Sequence, residues 1–389
     1  MNINAAFRFH NIGQGLFYSG LISKKDSNNH STFSFVYDCG TKSSRILLRQ
    51  EIDSFKQLLP TARYSKNKKL DLLVISHLHD DHVNGLEYLL KNVEVDTVVM
   101  PYVHDGLKLL ARLESANDSE FLQEFYLDPV GWFITKKVRR VLLLGSDGFV
   151  AEKNSINLMY IEDSDIYVNS ESILHIEDSD ETEIAYLKNI SNIKYQNFYW
   201  EFDFENLKLE KADSYIKIVE EFQRKRCLTL EQIFKSKSFS NELRKELRKL
   251  FSPGNELNRT SVVLLHRPIM ENVVVFLDMS KAYGSLPIME SDDCYLCGTV
   301  LTGDVILGDN EELSILKDSY NYLVFQFPHH GSKDNNIKYF TGLGAFTKVL
   351  SYGLTNKHGH PHGEVLQDIE RISFVNERQA LDYQLLINK

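Results

Sequence analysis

The sequence predicts a layered α/β domain built on buried strands and interrupted by a long charge-rich stretch. Two patterns support this. Short runs of β-branched and aromatic residues alternate with helical spacing over the first hundred residues, and runs of the same kind return after residue 260. Between them the composition turns mixed and charged over about 150 residues, with no 20–50-residue repeat.

Taken in order, residues 33–37 (Phe-Ser-Phe-Val-Tyr) read as a strand ending at Asp38-Cys39-Gly40. Residues 44–59 place Ile46, Leu47, Ile52, Phe55 and Leu58 at helical spacing. Residues 70–76 are a second strand, 83–91 a helix, and 95–100 a strand stopped by Pro101. Residues 105–255 are expected to be an insertion, with acidic runs at 162–165 and 177–181 as solvated loop and a helical stretch over 214–249. Strands resume at 261–266, 273–277, 299–307, 322–327 and 348–352. The layered α/β domain is thus expected at 1–104 and 256–389.

Composition excludes several classes. With 43% apolar residues and only 8 Pro, the chain is neither disordered nor collagen-like. No apolar run approaches the roughly 18–20 residues of a membrane helix. The first residues lack a basic segment followed by an apolar core, so no signal peptide is expected. Four cysteines make no disulfide framework, and a cytoplasmic location is the simplest expectation. A net charge of −10 argues against a basic coat for duplex DNA, though not against a metal-bearing nucleic-acid enzyme.

The chemistry concentrates in Ser76-His77-Leu78-His79-Asp80-Asp81-His82, at the end of an apolar run. His77 and His79 alternate by two and point the same way from extended backbone. Asp81 and His82 follow in the turn and can face a second position. Imidazole and carboxylate together suit Zn²⁺, and also Mn²⁺ or Fe. His266 lies inside an apolar run and reads as a core histidine. Cys294-x-x-Cys297 lacks a second pair and reads as structurally neutral, and Gly13-Gln14-Gly15 lacks the helix start of a phosphate loop.

His-x-His-x-Asp-His resembles the signature of the metallo-β-lactamase-fold hydrolases. Asn11–Gly15, Phe327-Pro328-His329-His330-Gly331-Ser332 and Ser351-Tyr352-Gly353 through Gly359-His360-Pro361 resemble motifs of that fold's ComEC-like branch, over about residues 7–103 and 256–370. The resemblance implies an αββα sandwich, with two divalent metal ions at the shared edge of its sheets. It implies His77, His79, Asp81 and His82 as ligands, Asp304 as the bridging aspartate, and Asp38 as the residue that orients the metal loop. Asn258 stands where many members of the fold carry a further histidine. Spacing does not decide between His329 and His330 as ligands. Gly331-Ser332 resembles a turn whose N–H groups meet an oxyanion. His360 suits either a ligand or, as favoured here, a substrate contact that protonates a leaving oxygen. His358 and His362 read as loop residues.

The expected activity is metal-dependent hydrolysis by a metal-bound hydroxide, with Asp81 also orienting it. A phosphodiesterase or nuclease acting on nucleic acid or nucleotides is favoured, in the setting of a bacterial defence module controlled by a partner ATPase. The alternatives are a hydrolase of peptide, ester or lactone bonds, and a partner-regulated or non-catalytic subunit.

Overall fold

The structure, a computed structural model, describes residues 2–26, 29–103, 108, 111–112, 119–145, 166–168, 172–179, 181–207, 212–229, 232–233, 236–250, 253–269, 274–278, 289–291, 297–317, 321–367 and 369–388. Among the described residues the strands form two sheets, of eleven and eight strands. In the first sheet, Asn29–Thr41, Lys68–Val74, Val93–Pro101, Arg140–Leu144 and Thr182–Leu187 lie side by side in parallel. In the second, Thr299–Leu301, Asn321–Gln326, Gly344–Ser351 and Ile372–Val375 do the same. Parallel strands are covered on both faces, and Leu70–Val74 is accordingly buried at every position, including Asp71.

Three apolar clusters define the layers. Between the sheets, Phe7, Tyr18 and Leu72 of the first meet Trp200, Phe202 and Leu264 of the second. Outside the first sheet, Val36, Leu73 and Val98 pack against Leu48, Ile52 and Phe55 of the Arg45–Leu58 helix. That helix starts where the Ser44 hydroxyl accepts the Leu47 N–H. Outside the second sheet, Val263, Leu265 and Phe325 pack against Phe340 and Val365 of two short helices. The result is the expected αββα sandwich.

The expected insertion is not set apart from it. Arg140–Leu144, Thr182–Leu187 and Ile173–Ser179 extend the first sheet, and Trp200–Asn206, Ile190–Tyr195 and Ile166–Val168 extend the second. Trp-Glu-Phe-Asp-Phe-Glu alternates with period two: Trp200, Phe202 and Phe204 enter the core between the sheets. On the other face, Glu201 and Asp203 pair with Arg267 of the adjoining strand at 2.6 and 2.9 Å. These charges are the outer face of a strand. The acidic run at 177–181, expected as solvated loop, instead has residues 177–179 paired with the Thr182–Leu187 strand. The Ala212–Arg226 and Lys237–Leu250 helices cover the first sheet's outer cluster through Val219, Phe222, Leu243 and Leu247. The acidic run at 162–165 lies outside the described residues, as do Asp180 and Cys294.

Two local expectations also shift. The helix over 83–91 is two single turns, Asp80–Val83 and Leu86–Leu89, broken where the Gly85 N–H donates to the Cys39 carbonyl at 2.8 Å. The strand expected over 299–307 stops at Leu301, because Thr302 and Gly303 turn to donate their N–H groups to Gln326.

His266 is the core histidine expected. Trp200 Nε1–H donates to its Nδ1 at 3.3 Å, and its Nε2 meets the Tyr18 hydroxyl at 2.8 Å. Burial pushes the imidazole down to about 3. In the unfolded chain it would titrate near its ordinary value of about 6.5. Between those values the unfolded state binds more protons, so acidification destabilises the fold, by up to about 1.4 kcal/mol per pH unit.

His266→Gln, which cannot titrate there, should lose stability less steeply in urea unfolding between about pH 6.5 and pH 4.5. An unchanged slope would contradict the assignment. Trp200→Ala should cost about 3–5 kcal/mol of global stability, as for a large core side chain. A Trp200→Ala protein with an unshifted urea midpoint would mean that the segment is separable after all.

Candidate metal centre

Every element that carries a candidate ligand ends at the same edge. Asp38 lies near the carboxyl end of its strand, residues 77–82 follow Lys68–Val74, Asp304 follows Thr299–Leu301, and His329 and His330 follow Asn321–Gln326. In sheets with parallel strands, sites form beyond those carboxyl ends, where loops from neighbouring strands converge. Here both sheets contribute. The Val262 N–H donates to the Ser76 carbonyl at 2.8 Å, tying the histidine loop across to the second sheet.

Asp38 occupies a bulge between Tyr37, which pairs with Tyr18, and Cys39, which pairs with Phe17. Its φ of 57° turns the carboxylate out of the strand's alternation and under the loop. Oδ1 accepts the Ser76 N–H at 2.7 Å, and Oδ2 accepts the Ser76 hydroxyl at 2.6 Å and His82 Nδ1–H at 2.7 Å. With its hydroxyl proton committed to Asp38, Ser76 Oγ accepts His77 Nδ1–H at 2.9 Å. His330 Nδ1–H donates to the Ser351 carbonyl at 2.7 Å. Each of these three rings is held through Nδ1, which turns its Nε2 toward the cluster as the atom a metal would take, displacing any proton there.

The freed atoms converge. His82 Nε2, His330 Nε2 and Asp304 Oδ1 are all buried without a hydrogen-bond partner among the described residues. Asp304 Oδ1 stands 3.4 Å from His82 Nε2 and 3.7 Å from His330 Nε2, and Asp81 Oδ2 lies 3.6 Å from His330 Nε2. Two donors at about 2.1 Å on one tetrahedral ion lie about 3.4 Å apart, so these residues fit a divalent metal. The other oxygen of Asp304 faces a second group. Oδ2 is 3.9 Å from His77 Nε2 and 4.0 Å from His329 Nε2, and His77 Nε2 is 3.0 Å from His79 Nδ1. His329 and His330, both in the left-handed region at φ 51° and 55°, thus turn to opposite oxygens of one carboxylate.

Electrostatics suit cations. Burial, with the neighbouring histidines, holds His77 far below its usual range. Burial, with Lys42 and His82, takes His79 down to about 3 against the pull of Asp81 and Asp304, so both rings are neutral. Burial acts against a charge on His82, but the carboxylates of Asp304 and Asp38 outweigh it and raise that ring. Burial alone would raise the Asp81 and Asp304 carboxyls, and the surrounding cations and histidines reverse this, keeping both ionised.

Other expected residues take different places. Asn258 Nδ2 is 3.3 Å from His329 Nε2, so His329 stands beside the position where a further histidine was missing. Ser332 does not offer a free oxyanion donor: its N–H donates to the His329 carbonyl at 2.9 Å. Gly331 is required because a Cβ there would lie 2.7 Å from Pro361 Cβ. His360 sits over the pair, with ring centroids 5.5 Å from His329 and 6.4 Å from His330. Burial and the neighbouring histidines take it down to about 3, so in the metal-free protein it is neutral at pH 7 and no ready proton donor. His358 and His362 flank it at 5.6 and 5.1 Å, in a loop as expected.

Sequence reasoning missed Lys42 and Gln326, and gave Ser76 and Ser351 no role of their own. Lys42 Nζ bonds Asp81 Oδ1 at 2.9 Å and pairs with Asp80 at 3.2 Å. Gln326 clamps the Asp304 loop, accepting from Thr302 and Gly303 and donating to two carbonyls. Its only trace in the sequence is one polar residue in an otherwise apolar strand end. The Gly13-Gln14-Gly15 motif is a support: a Cβ on Gly15 would lie 2.6 Å from the Asp81 carbonyl, and one on Gly40 2.7 Å from His82 N. The two glycines let the strands press against the ligand loop.

The family model of the Metallo-beta-lactamase superfamily matches residues 28–135, the segment that holds Asp38 and the whole histidine loop. The chain is similar to Ribonuclease J of Mycoplasma genitalium, at 30% identity over 104 residues, and of Mycoplasma pneumoniae, at 27% over 103 residues. Each alignment covers 26% of this chain and 17% of the relative.

Asp38→Asn keeps the side-chain shape but replaces one acceptor oxygen with a donor that conflicts with Ser76 or His82. It should weaken metal binding about 10–100-fold, as loss of a ligand-orienting group does, measured by competition with a chromogenic chelator. Wild-type affinity in that variant would remove Asp38 from this role.

Proposed function

With residues 28–135 matching the metallo-β-lactamase superfamily as premise, we propose that the chain is a metal-dependent phosphodiesterase acting on nucleic acid. His77, His79 and His329 with Asp304 would hold one divalent ion, and Asp81, His82 and His330 with the same aspartate a second. Zinc is the first candidate for an imidazole–carboxylate set, with manganese or iron as alternatives. Ions bound there would supply an activated water and positive charge for the negative charge that develops on a phosphodiester. Convergence of Asn11–Gly15, Phe327–Ser332 and the 351–361 loop on one edge supports placement in the ComEC-like branch.

The observation that favours phosphodiesters is a basic cleft beside the centre. Lys42, bonded to Asp81, lines a cleft of about 700 Å³ together with Lys357, His358 and Arg378, in a chain of net charge −10. Glu377 also lines it, but its carboxylate accepts from the Ser43 hydroxyl and the Leu354 N–H. Lys357 and Arg378 are suited to track a phosphate backbone while Lys42 faces the scissile group. The Ribonuclease J relatives point to the same substrate class. His360, a neutral donor and acceptor, is placed to meet an oxygen of the substrate.

Metal-loaded protein should cleave labelled single-stranded RNA or DNA, and Asp304→Asn should abolish the cleavage. Lys357→Ala with Arg378→Ala should raise KM with little change in kcat, and lower the salt-dependence slope by about 0.7 for each phosphate no longer neutralised. The proposal fails if loaded protein cleaves no phosphodiester but turns over a lactone or peptide in an Asp304-dependent way.

A further inference from the structure

A second constellation lies on the outer face of the first sheet, beneath the Arg45–Leu58 helix. His10 is buried and stacks on Phe17, with ring centroids 3.8 Å apart and planes 7° from parallel. Its Nε2 is 2.8 Å from Ser19 Oγ, and its Nδ1 is 2.8 Å from Glu51 Oε2. Glu51 can only accept when ionised, so Nδ1 carries the proton and Nε2 is left to accept from the Ser19 hydroxyl. Nucleophile, base and orienting carboxylate thus stand in the order of a serine hydrolase, which is recognised by geometry and not by chain position.

The surroundings are those of a site. Ser19, His10 and Glu51 share a cavity of about 470 Å³ with Leu21, Phe55 and Leu58 as apolar wall. Arg8 is the direct cross-strand partner of Ser19, which puts both side chains on one face. Its guanidinium ends are held by Asp382 and Glu51, while its Nε is buried with no partner. Burial pushes the His10 imidazole down, so the base is neutral. Burial would raise the Glu51 carboxyl, but His10 and Arg8 more than reverse this and keep it ionised.

We propose that Ser19, His10 and Glu51 form a second, metal-independent hydrolytic site for carboxylic esters whose apolar acyl group fills this cavity. Ser19 Oγ forms a bond to the acyl carbon while His10 Nε2 takes the hydroxyl proton. Arg8, which lines the same cavity and shares this face with Ser19, is the cation that would stabilise the developing oxyanion. The C–O bond to the alcohol then breaks, and the alcohol leaves with the proton from His10. A water, losing a proton to His10 Nε2, attacks the acyl carbon; the bond from that carbon to Ser19 Oγ breaks, His10 returns the proton to Oγ, and the carboxylic acid leaves. No redox partner is needed.

The test uses the full chain and a fluorophosphonate probe, with the modified residue found by peptide mass spectrometry. An adduct on Ser19 is expected in wild type and equally in Asp304→Asn, which separates this site from the metal centre. Butyrate ester turnover in the Asp304→Asn background should disappear with Ser19→Ala. Glu51→Gln, which keeps the shape, should slow labelling by on the order of 10²-fold or more. No adduct on Ser19, or an adduct formed as fast in Glu51→Gln as in wild type, overturns the proposal.

Discussion

A single buried carboxylate connects most of the structure's features. Asp38 leaves its strand at a bulge and accepts three hydrogen bonds from the loop that begins after Lys68–Val74. A carboxylate without solvent is costly unless its lone pairs are filled: burial raises the Asp38 carboxyl above its ordinary range, and His82 and Ser76, which fill those lone pairs, offset this only in part. Satisfying Asp38 therefore places Ser76 and His82 together, and Ser76 in turn fixes His77. The ring atoms left over point at the two oxygens of Asp304, and those of His82 and His330 have no hydrogen-bond partner among the described residues. The chain thereby leaves a cluster of unsatisfied donor atoms that a pair of cations would complete.

That arrangement depends on how closely backbone can approach backbone. Gly15 and Gly40 let two strands lie against the carbonyl and amide of the ligand loop, where any Cβ would collide. Gly331 lets the His329–His330 turn meet Pro361 in the same way. The Gln326 side chain makes four hydrogen bonds to Thr302 and Gly303 and a fifth to the Phe327 carbonyl, so the candidate ligand groups are set by buried polar contacts and not by loop packing alone.

The histidine loop, Asp38, Asp304 and the sandwich itself were legible in the sequence because ligand types at short spacing and apolar runs are local signals. The assignment of His329 and His330 was not, since it turns on two left-handed residues in succession. Residues 105–255 carried no comparable local signal. The acidic run at 177–181 read as solvated loop, whereas residues 177–179 pair with the Thr182–Leu187 strand in the first sheet, and Trp200, Phe202 and Phe204 enter the core from a strand of the second. The Ser19–His10–Glu51 group had no sequence signal, being assembled from a strand end, a mid-strand position and a helix.

The most direct test of the central claim is metal stoichiometry. Elemental analysis of the purified chain after loading and desalting should give two divalent ions per chain for wild type. It should give none, or a single weakly held ion, for Asp304→Ala, because both groups of donors share that aspartate. Two ions retained in Asp304→Ala, or none in the wild type under any loading condition, would contradict a centre bridged by Asp304.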